Sequence, residues 1–453
     1  MTAREAAVEI LNVARVRRAF VSDVLDEFLS DPATGLVNAK PEDRRLVTNL
    51  VLGITRRRAT LDALVAPFID RPFHAVENRI FDLLHLGAYQ LVFLTSIPDH
   101  AAVHETVELA RFIGSPLATG FVNGVLRRVV ESVTDEDTDH PTRFAVPMDD
   151  GRFRRLSKPL LPDPVREPVY YLAAAFSWPM WLAQVWWDRY GFDECCRMGF
   201  WFNAPPPLWI RVPTHVDRGN VQHRLAAINI EARPGPHSQS LHLLNGGNIL
   251  DLPGFATGDF AVQDHASMLV ATALAPKPGM TVLDLCAAPG GKTTHLAELM
   301  NNTGKIIACD IEAERLATVT TLAERMKISI IETVQLADGQ DPPAGPFDAA
   351  LVDAPCSNTG VLGRRVDVRW RLQPEEMDYL IRLQTKLLTN AIDRVKPGGA
   401  IVYSTCSIEP AENEQVVNAV IRTSKTVRKE AEHRSEPGRP SDGGYWARLR
   451  KRV

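Results

Sequence analysis

Between residues 261 and about 430 the chain repeats one unit: a short apolar stretch, a cluster of small or polar residues, then a helical stretch. The apolar stretches are Thr281 to Leu285, Lys305 to Asp310, Glu332 to Ala337, Asp348 to Asp353 and Ala400 to Ser404. This alternation admits few folds. Parallel strands need long crossovers, helices supply them, and a doubly wound, Rossmann-like parallel sheet results. In such a sheet ligands collect beyond the carboxyl ends of the strands. The motifs that suggest chemistry in this chain all fall at such ends.

The first is Cys286-Ala287-Ala288-Pro289-Gly290-Gly291-Lys292-Thr293-Thr294, which follows a strand and opens a helix. Glycines let a ligand approach the backbone, and the helix start offers free N–H groups. Gly291-Lys292-Thr293 matches the end of a P-loop, but that loop needs a glycine five positions before Gly291, where Cys286 stands. The dinucleotide fingerprint fails too, because Ala288 occupies the place of its second glycine. The second strand ends at Asp310, 19 residues after Gly291, where a carboxylate can accept from ribose hydroxyls. Asp338 closes the third strand and could accept from an adenine amine. Two acids and a glycine loop without a phosphate signature suit a nucleoside donor that carries no phosphate, of which S-adenosylmethionine is the commonest.

The fourth strand ends in Asp353-Ala354-Pro355-Cys356-Ser357 and the fifth in Tyr403-Ser404-Thr405-Cys406-Ser407. A lone cysteine is more often a small buried apolar residue. Here polar neighbours and strand ends speak for chemistry, and no C-x-x-C pair suggests zinc. His100 and His104 have helical i, i+4 spacing but no glutamate after His100, so no metal is expected. A thiol beside a methyl donor has a specific use. Cytosine C5 is a poor nucleophile; a thiolate adding to C6 makes C5 attack the sulfonium methyl, and a base then takes the C5 proton as the thiolate leaves. Asp353 stands where a carboxyl would assist at N3. On position alone, Cys356 and Cys406 are equal candidates for the nucleophile.

These segments, Leu283 to Lys292, Asp353 to Gly360 and Tyr403 to Ser407, resemble the RNA cytosine-5 methyltransferases of the NOL1/NOP2/Sun type. The helical stretch with Phe121-Val122-Asn123-Gly124-Val125-Leu126-Arg127 looks like a NusB-like RNA-binding domain, and the pairing resembles bacterial enzymes acting on small-subunit ribosomal RNA. The resemblance implies that Cys406 is the nucleophile and that Cys356 helps release the product. It implies cofactor contacts from Cys286, Ala287, Ala288, Pro289, Gly290, Gly291, Lys292, Asp310, Asp338 and Asp353. The chain departs from the family at Gly363-Arg364-Arg365-Val366-Asp367 and at Asp442-Gly443-Gly444-Tyr445-Trp446, neither of which contains a catalytic residue.

The expected organisation is an all-α NusB-like domain over 1–132, a linker over 133–165, a mixed α/β connecting region over 166–260 and the methyltransferase domain over 261–453. The linker reading rests on the acidic, non-periodic run Thr134 to Pro141. Gly114-Ser115-Pro116 is expected to break the helical pattern before a last helix, Ala118 to Val130. Arg15, Arg17 and Arg18, Arg56 to Arg58, and Arg127 with Arg128 suggest an RNA-facing surface. Solvated helix faces are the simpler reading of any one cluster. Six of the eight tryptophans fall between Trp178 and Trp209. Packing of an amphipathic helix is preferred there over base stacking.

With a net charge of -4 the whole chain is not an RNA-coating protein, so RNA contact must come from patches. The six cysteines and an N-terminus without a signal-peptide pattern suggest a reducing cytoplasm. No membrane partner and a monomeric state are expected. Two other readings stay open: the same chemistry on tRNA, and a non-enzymatic, antitermination-like RNA-binding factor.

Overall fold

The computed structural model describes residues 1–113, 116–245 and 247–453; Gly114 and Ser115, read above as a helix break, lie outside them. The chain forms two compact units, Met1–Pro205 with Leu362–Arg371, and Pro206–Val361 with Leu372–Val453.

The first unit opens with the helices Ala3–Arg17, Val21–Ser30, Pro41–Arg56, Arg58–Val65, Asn78–Phe93, Asp99–Ile113 and Pro116–Val130. Local chemistry marks their starts. Thr2 and Glu5 form a reciprocal capping box, with Thr2 N donating to Glu5 at 2.6 Å. Pro41 stands at the first position of its helix, followed by Glu42 and Asp43 where the dipole favours acids. Helix Asn78–Phe93 is the hub: Leu83, Leu84, Leu86, Ala88 and Val92 are all fully buried. A helix apolar around its whole girth is stable only when other helices surround it.

The segment read as a linker folds instead. Val133–Thr138, Phe153–Leu156 and Ala145–Pro147 make a three-stranded antiparallel sheet in which the acidic run is an edge strand. Its exposed acids hid it, because an edge strand with one solvated face needs no apolar run. The helices Pro168–Phe176 and Met180–Asn203 also belong to this unit, so the structure divides the region 166–260 at Pro205. Trp178 and Trp186 are buried and meet edge to face, with ring centroids 4.8 Å apart, as the packing reading requires.

The basic clusters are not exposed throughout. Arg56 and Arg57 are buried: Arg56 donates to the Gly363 carbonyl at 3.1 Å, and Arg57 to Pro147 O at 2.6 Å and to Asp149. Arg15 and Arg17 pair with Asp82 and Glu27, both at 2.7 Å. Of the arginines expected to face RNA, Arg15, Arg17, Arg18, Arg58, Arg127 and Arg128 are exposed, and Arg56 and Arg57 are not. The segment Leu362–Arg371 belongs to this unit through Arg369. That fully buried guanidinium donates to the carbonyls of Arg56 at 3.0 Å and of Phe202 and Leu362 at 3.1 Å, and to Asn203 Oδ1 at 3.0 Å.

The second unit holds the main sheet. Its strands are β1 (Thr281–Leu285), β2 (Lys305–Asp310), β3 (Ile331–Gln335), β4 (Phe347–Asp353), β5 (Val395–Thr405), β6 (Val427–Ser435) and β7 (Gly444–Lys451). Their order is β3-β2-β1-β4-β5-β7-β6. The five expected strands run parallel, and β7 lies antiparallel to both β5 and β6. β6 escapes a reading by periodicity because most of its side chains are exposed and charged. Alternate residues build two cores. Leu283, Leu285, Ala350, Val352, Ile401 and Tyr403 face one side; Val282, Ala349, Leu351, Ala400 and Val402 face the other. A separate four-stranded sheet contains Leu208–Arg211, Ala232–Pro234, Ser240–Leu243 and Ala261–Val262.

Arg369→Ala leaves several buried carbonyls without a donor, so it should lower stability by at least about 3 kcal/mol. Arg369→Lys should not restore it, because an ammonium lacks the planar fork. The check is the urea midpoint of the purified chain; a midpoint equal to wild type for both variants would refute the assigned role.

Candidate active site

The glycine loop turns sharply where β1 ends. Cys286 adopts a φ of 63° and Gly290 a φ of 101°, and the helix Gly291–Leu299 follows. The left-handed conformation at Gly290 suits glycine. Behind the loop lies Asp310, only 5% exposed. Its carboxylate accepts from Ala288 N at 3.2 Å and Glu312 N at 3.3 Å. Arg315 donates to Ala288 O at 3.1 Å and reaches Asp310 at 3.8 Å. Asp338 sits in the exposed turn after β3.

Two residues that sequence reasoning passed over brace this loop. Arg211, fully buried, pairs with buried Glu298 at 2.6 Å, and donates to Gly291 O at 2.8 Å and Thr294 Oγ1 at 3.1 Å. A charge inside the apolar run Leu208-Trp209-Ile210-Arg211-Val212 was the available signal, since such a charge must find a partner. Asp284 lies beneath the loop with no exposed surface, accepting from Thr293 Oγ1 at 2.7 Å while its Oδ1 has no partner. Burial pushes its carboxyl up to about 7, against the pull of the Thr293 hydrogen bond.

The cysteine loops are brought together by strand register. β4 and β5 pair in parallel with Asp353 opposite Ser404, so the two chains leave the sheet side by side. Cys356 and Cys406, 50 residues apart in sequence, come to an Sγ–Sγ distance of 3.3 Å. Cys406 Sγ donates to Asn358 Oδ1 at 3.1 Å, and the Asn358 amide is oriented by donating to Cys356 O at 2.7 Å. Asn358 takes a φ of 58°, which asparagine tolerates better than most residues. The hydrogen bond to Cys406, partial burial and nearby negative charge hold the Cys356 thiol well above its usual range. Gly360 closes the arrangement: its N–H donates to Cys406 O at 3.0 Å, and Gly443 N donates to Gly360 O at 2.9 Å. A Cβ at Gly360 would stand 2.5 Å from Gly443 O and 2.8 Å from Cys406 O, so only glycine fits. The tail that departs from the expected pattern thus packs on the Cys406 loop through Gly443.

Asp353 completes the group. Its Oδ2 accepts from Lys292 Nζ at 2.6 Å and its Oδ1 from Ser404 Oγ at 2.8 Å. Burial alone would lower the Lys292 pKa; the charge and hydrogen bond of Asp353 outweigh it, and the charge of Cys406 adds to them, so the ammonium is held. Lys292 is therefore turned toward the cysteine end rather than toward a phosphate. The carboxylates of Asp310 and Asp338 are acceptors, and the loop's lysine is engaged, so these residues fit a nucleoside whose hydroxyls and amine donate and do not fit a nucleotide's phosphate.

Comparison with known proteins gives the chain its family and its fold relatives. Residues 271–443 match the family model described as 16S rRNA methyltransferase RsmB/F, residues 1–131 the NusB family, and residues 178–249 a ferredoxin-like domain of RsmF/B-like methyltransferases. A Bacillus subtilis protein named "Probable ribosomal RNA small subunit methyltransferase B" is 37% identical over 388 residues, 84% of this chain and 80% of that protein. The ribosomal RNA small subunit methyltransferase B of Salmonella typhi is 32% identical over 91% of both chains. The crystal structure of PH0851, 23% identical, superposes with a TM-score of 0.77 over 99% of this chain and 98% of that one, which establishes likeness of fold.

Asp284 carries a pH signature. Its folded-state value of about 7 exceeds the ordinary 3.8, so the folded chain holds this proton more tightly than the unfolded one. This contribution to stability is complete below the ordinary value and is lost as pH rises through the folded one. Asp284→Asn, which keeps the shape and never ionises, should flatten that decline. Urea midpoints of both proteins at about pH 5 and about pH 8 measure it; parallel pH dependences would remove Asp284 as its source.

Proposed function

The chain belongs to the RsmB/F family of 16S rRNA methyltransferases, and on that premise we propose that it methylates C5 of a cytosine in small-subunit ribosomal RNA through a covalent bond from Cys406 to C6. Methyl transfer to ribosomal RNA from S-adenosylmethionine is the activity of the family. The donor supplies one sulfonium-bound methyl group. Asp310 and Asp338 would accept from its hydroxyls and amine, and the loop from Cys286 to Gly291 would lie against it.

The observation that carries the C5 reading is the pair of sulfurs 3.3 Å apart beside the Lys292–Asp353 ion pair. A base methylated on nitrogen needs no thiol, because its lone pair attacks the methyl directly. Carbon C5 has no lone pair, and nucleophilic addition at C6 creates one. Cys406, as thiolate, forms the bond to C6; the ring electrons move to C5, which takes the methyl. Cys356, on the adjacent loop, having first lost its own proton to solvent, then takes the C5 proton as a thiolate; the C5–H electron pair re-forms the C5–C6 double bond and Cys406 leaves as thiolate. Asp353 accepts a hydrogen bond from the exocyclic amine, and Lys292 keeps it oriented.

The division of labour between the cysteines is supported by their surroundings. The raised proton affinity of Cys356 suits the group that takes the C5 proton once it is ionised. Cys406 lies close enough to the Lys292 ammonium for the two to interact electrostatically. The base must be unpaired or flipped for C6 to reach a thiol.

The two cysteines should respond oppositely to substitution. Cys406→Ala should lose turnover by about a thousandfold or more and form no bond to RNA. Cys356→Ala should accumulate a protein–RNA adduct that survives denaturing electrophoresis. The reverse pattern would exchange the roles. Bisulfite sequencing of small-subunit ribosomal RNA treated with the enzyme reads the product; modification of tRNA alone would move the substrate, and methyl groups found only on nitrogen would end the C5 reading.

A further inference from the structure

The two cysteine loops share an anchor that lies in neither of them. Glu412, fully buried, precedes the helix Glu414–Ser424. Its Oε1 accepts from Ser357 N at 2.8 Å and from Gln384 Nε2 at 2.9 Å. Its Oε2 accepts from Ser407 Oγ at 2.5 Å and from the Ser357 hydroxyl. Ser357 directly follows Cys356, and Ser407 directly follows Cys406. One carboxylate therefore grips the residue after each cysteine. Its own backbone is held in turn, since Tyr403 Oη donates to Glu412 O at 2.6 Å.

A carboxylate suits this position for a countable reason. It offers about four acceptor sites and no donor. The four groups facing it are all donors, two on each oxygen. An amide of the same shape would have to turn its N–H2 group to the two hydroxyls, reversing both of those hydrogen bonds and removing the charge that strengthens all four. Burying a charge is costly and is tolerated only where hydrogen bonds compensate it. Such a device holds two loops more rigidly than apolar packing would, because each hydrogen bond fixes a direction as well as a distance.

We infer that Glu412 is a positioning residue that sets the spacing of Cys356 and Cys406, so that one sulfur can bond C6 while the other reaches the proton on the adjacent C5. This deepens the two-cysteine reading above and rests on it for its catalytic consequence. The spacing itself is independent of that reading and can be measured without RNA. In the full-length reduced protein, diamide, a diazene dicarboxamide, oxidises neighbouring thiols. Each cysteine loses a proton, the Sγ–Sγ bond forms, and two electrons with two protons reduce the N=N bond to the hydrazine. Thiols held 3.3 Å apart should react readily.

The test compares wild type with Glu412→Gln, and with Ser357→Ala and Ser407→Ala, which each remove a side-chain donor and keep the carboxylate. The rate of Cys356–Cys406 disulfide formation, read by mass spectrometry of the linked peptides, should fall about tenfold or more in Glu412→Gln, and by less in either serine variant. In steady-state methyl transfer, kcat per folded molecule should fall about ten- to a hundredfold. KM for S-adenosylmethionine should stay within about twofold, because the glycine loop is untouched. A variant that is merely less stable would lower the folded fraction without moving either rate per folded molecule. If Glu412→Gln does not fold, the double variant Ser357→Ala/Ser407→Ala carries the same expectation.

Disulfide formation as fast as wild type in the folded variant overturns the inference. Slowed disulfide formation together with no adduct in Cys356→Ala supports the spacing role and sinks the covalent mechanism instead. Unchanged disulfide formation with the adduct present leaves the mechanism standing and removes Glu412 from it.

Discussion

The parallel pairing of β4 with β5 is the constraint on which the site depends. It sets Asp353 beside Ser404 and lets two loops leave the sheet edge together. A one-residue slip would send alternate side chains to the opposite face, and the apolar residues of both strands forbid it because each face is buried in its own core. Core packing thus fixes the register, and the register brings the two sulfurs to contact distance. The cysteines need no attraction for one another to meet.

Around that pairing the molecule places charges beside the two cysteine loops and the glycine loop. Lys292 belongs to the glycine loop in sequence and to the cysteines in space, through Asp353. Glu412 holds both cysteine loops from behind, and Arg211 with Glu298 holds the first turn of the helix after the glycine loop. Each is a buried or half-buried charge whose partners are donors or acceptors of the loops themselves. Their cost in desolvation is offset by fixing irregular backbone that apolar side chains could not orient.

The helical unit shows why charge clusters read from sequence mislead. Arg56, Arg57 and Arg58 look like one basic patch, yet two of them point inward to carbonyl groups at chain turns. Arg369 does the same with six partners. Arginine can serve as a buried hub because its fork carries five donors. Nothing in a linear run of basic residues separates that use from RNA contact; the distinction lies in which carbonyls the fold leaves unpaired.

The alternation of strand and helix, the glycine loop that is neither a P-loop nor a dinucleotide fingerprint, and the two strand-end cysteines were all legible in the sequence. They are local patterns, and local spacing writes them directly into the chain. The edge strand at Val133–Thr138, β6, and the division at Pro205 were not legible, because exposed strands carry no apolar period and unit boundaries follow contacts between distant residues. The choice between Cys356 and Cys406 could not be made from position either, since both occupy equivalent strand ends. Only the tertiary structure distinguishes their surroundings. It gives Cys356 a tightly held proton, puts Cys406 within the field of Lys292, and gathers both loops on Glu412, a residue with no mark in the sequence because its partners come from three separate stretches of chain.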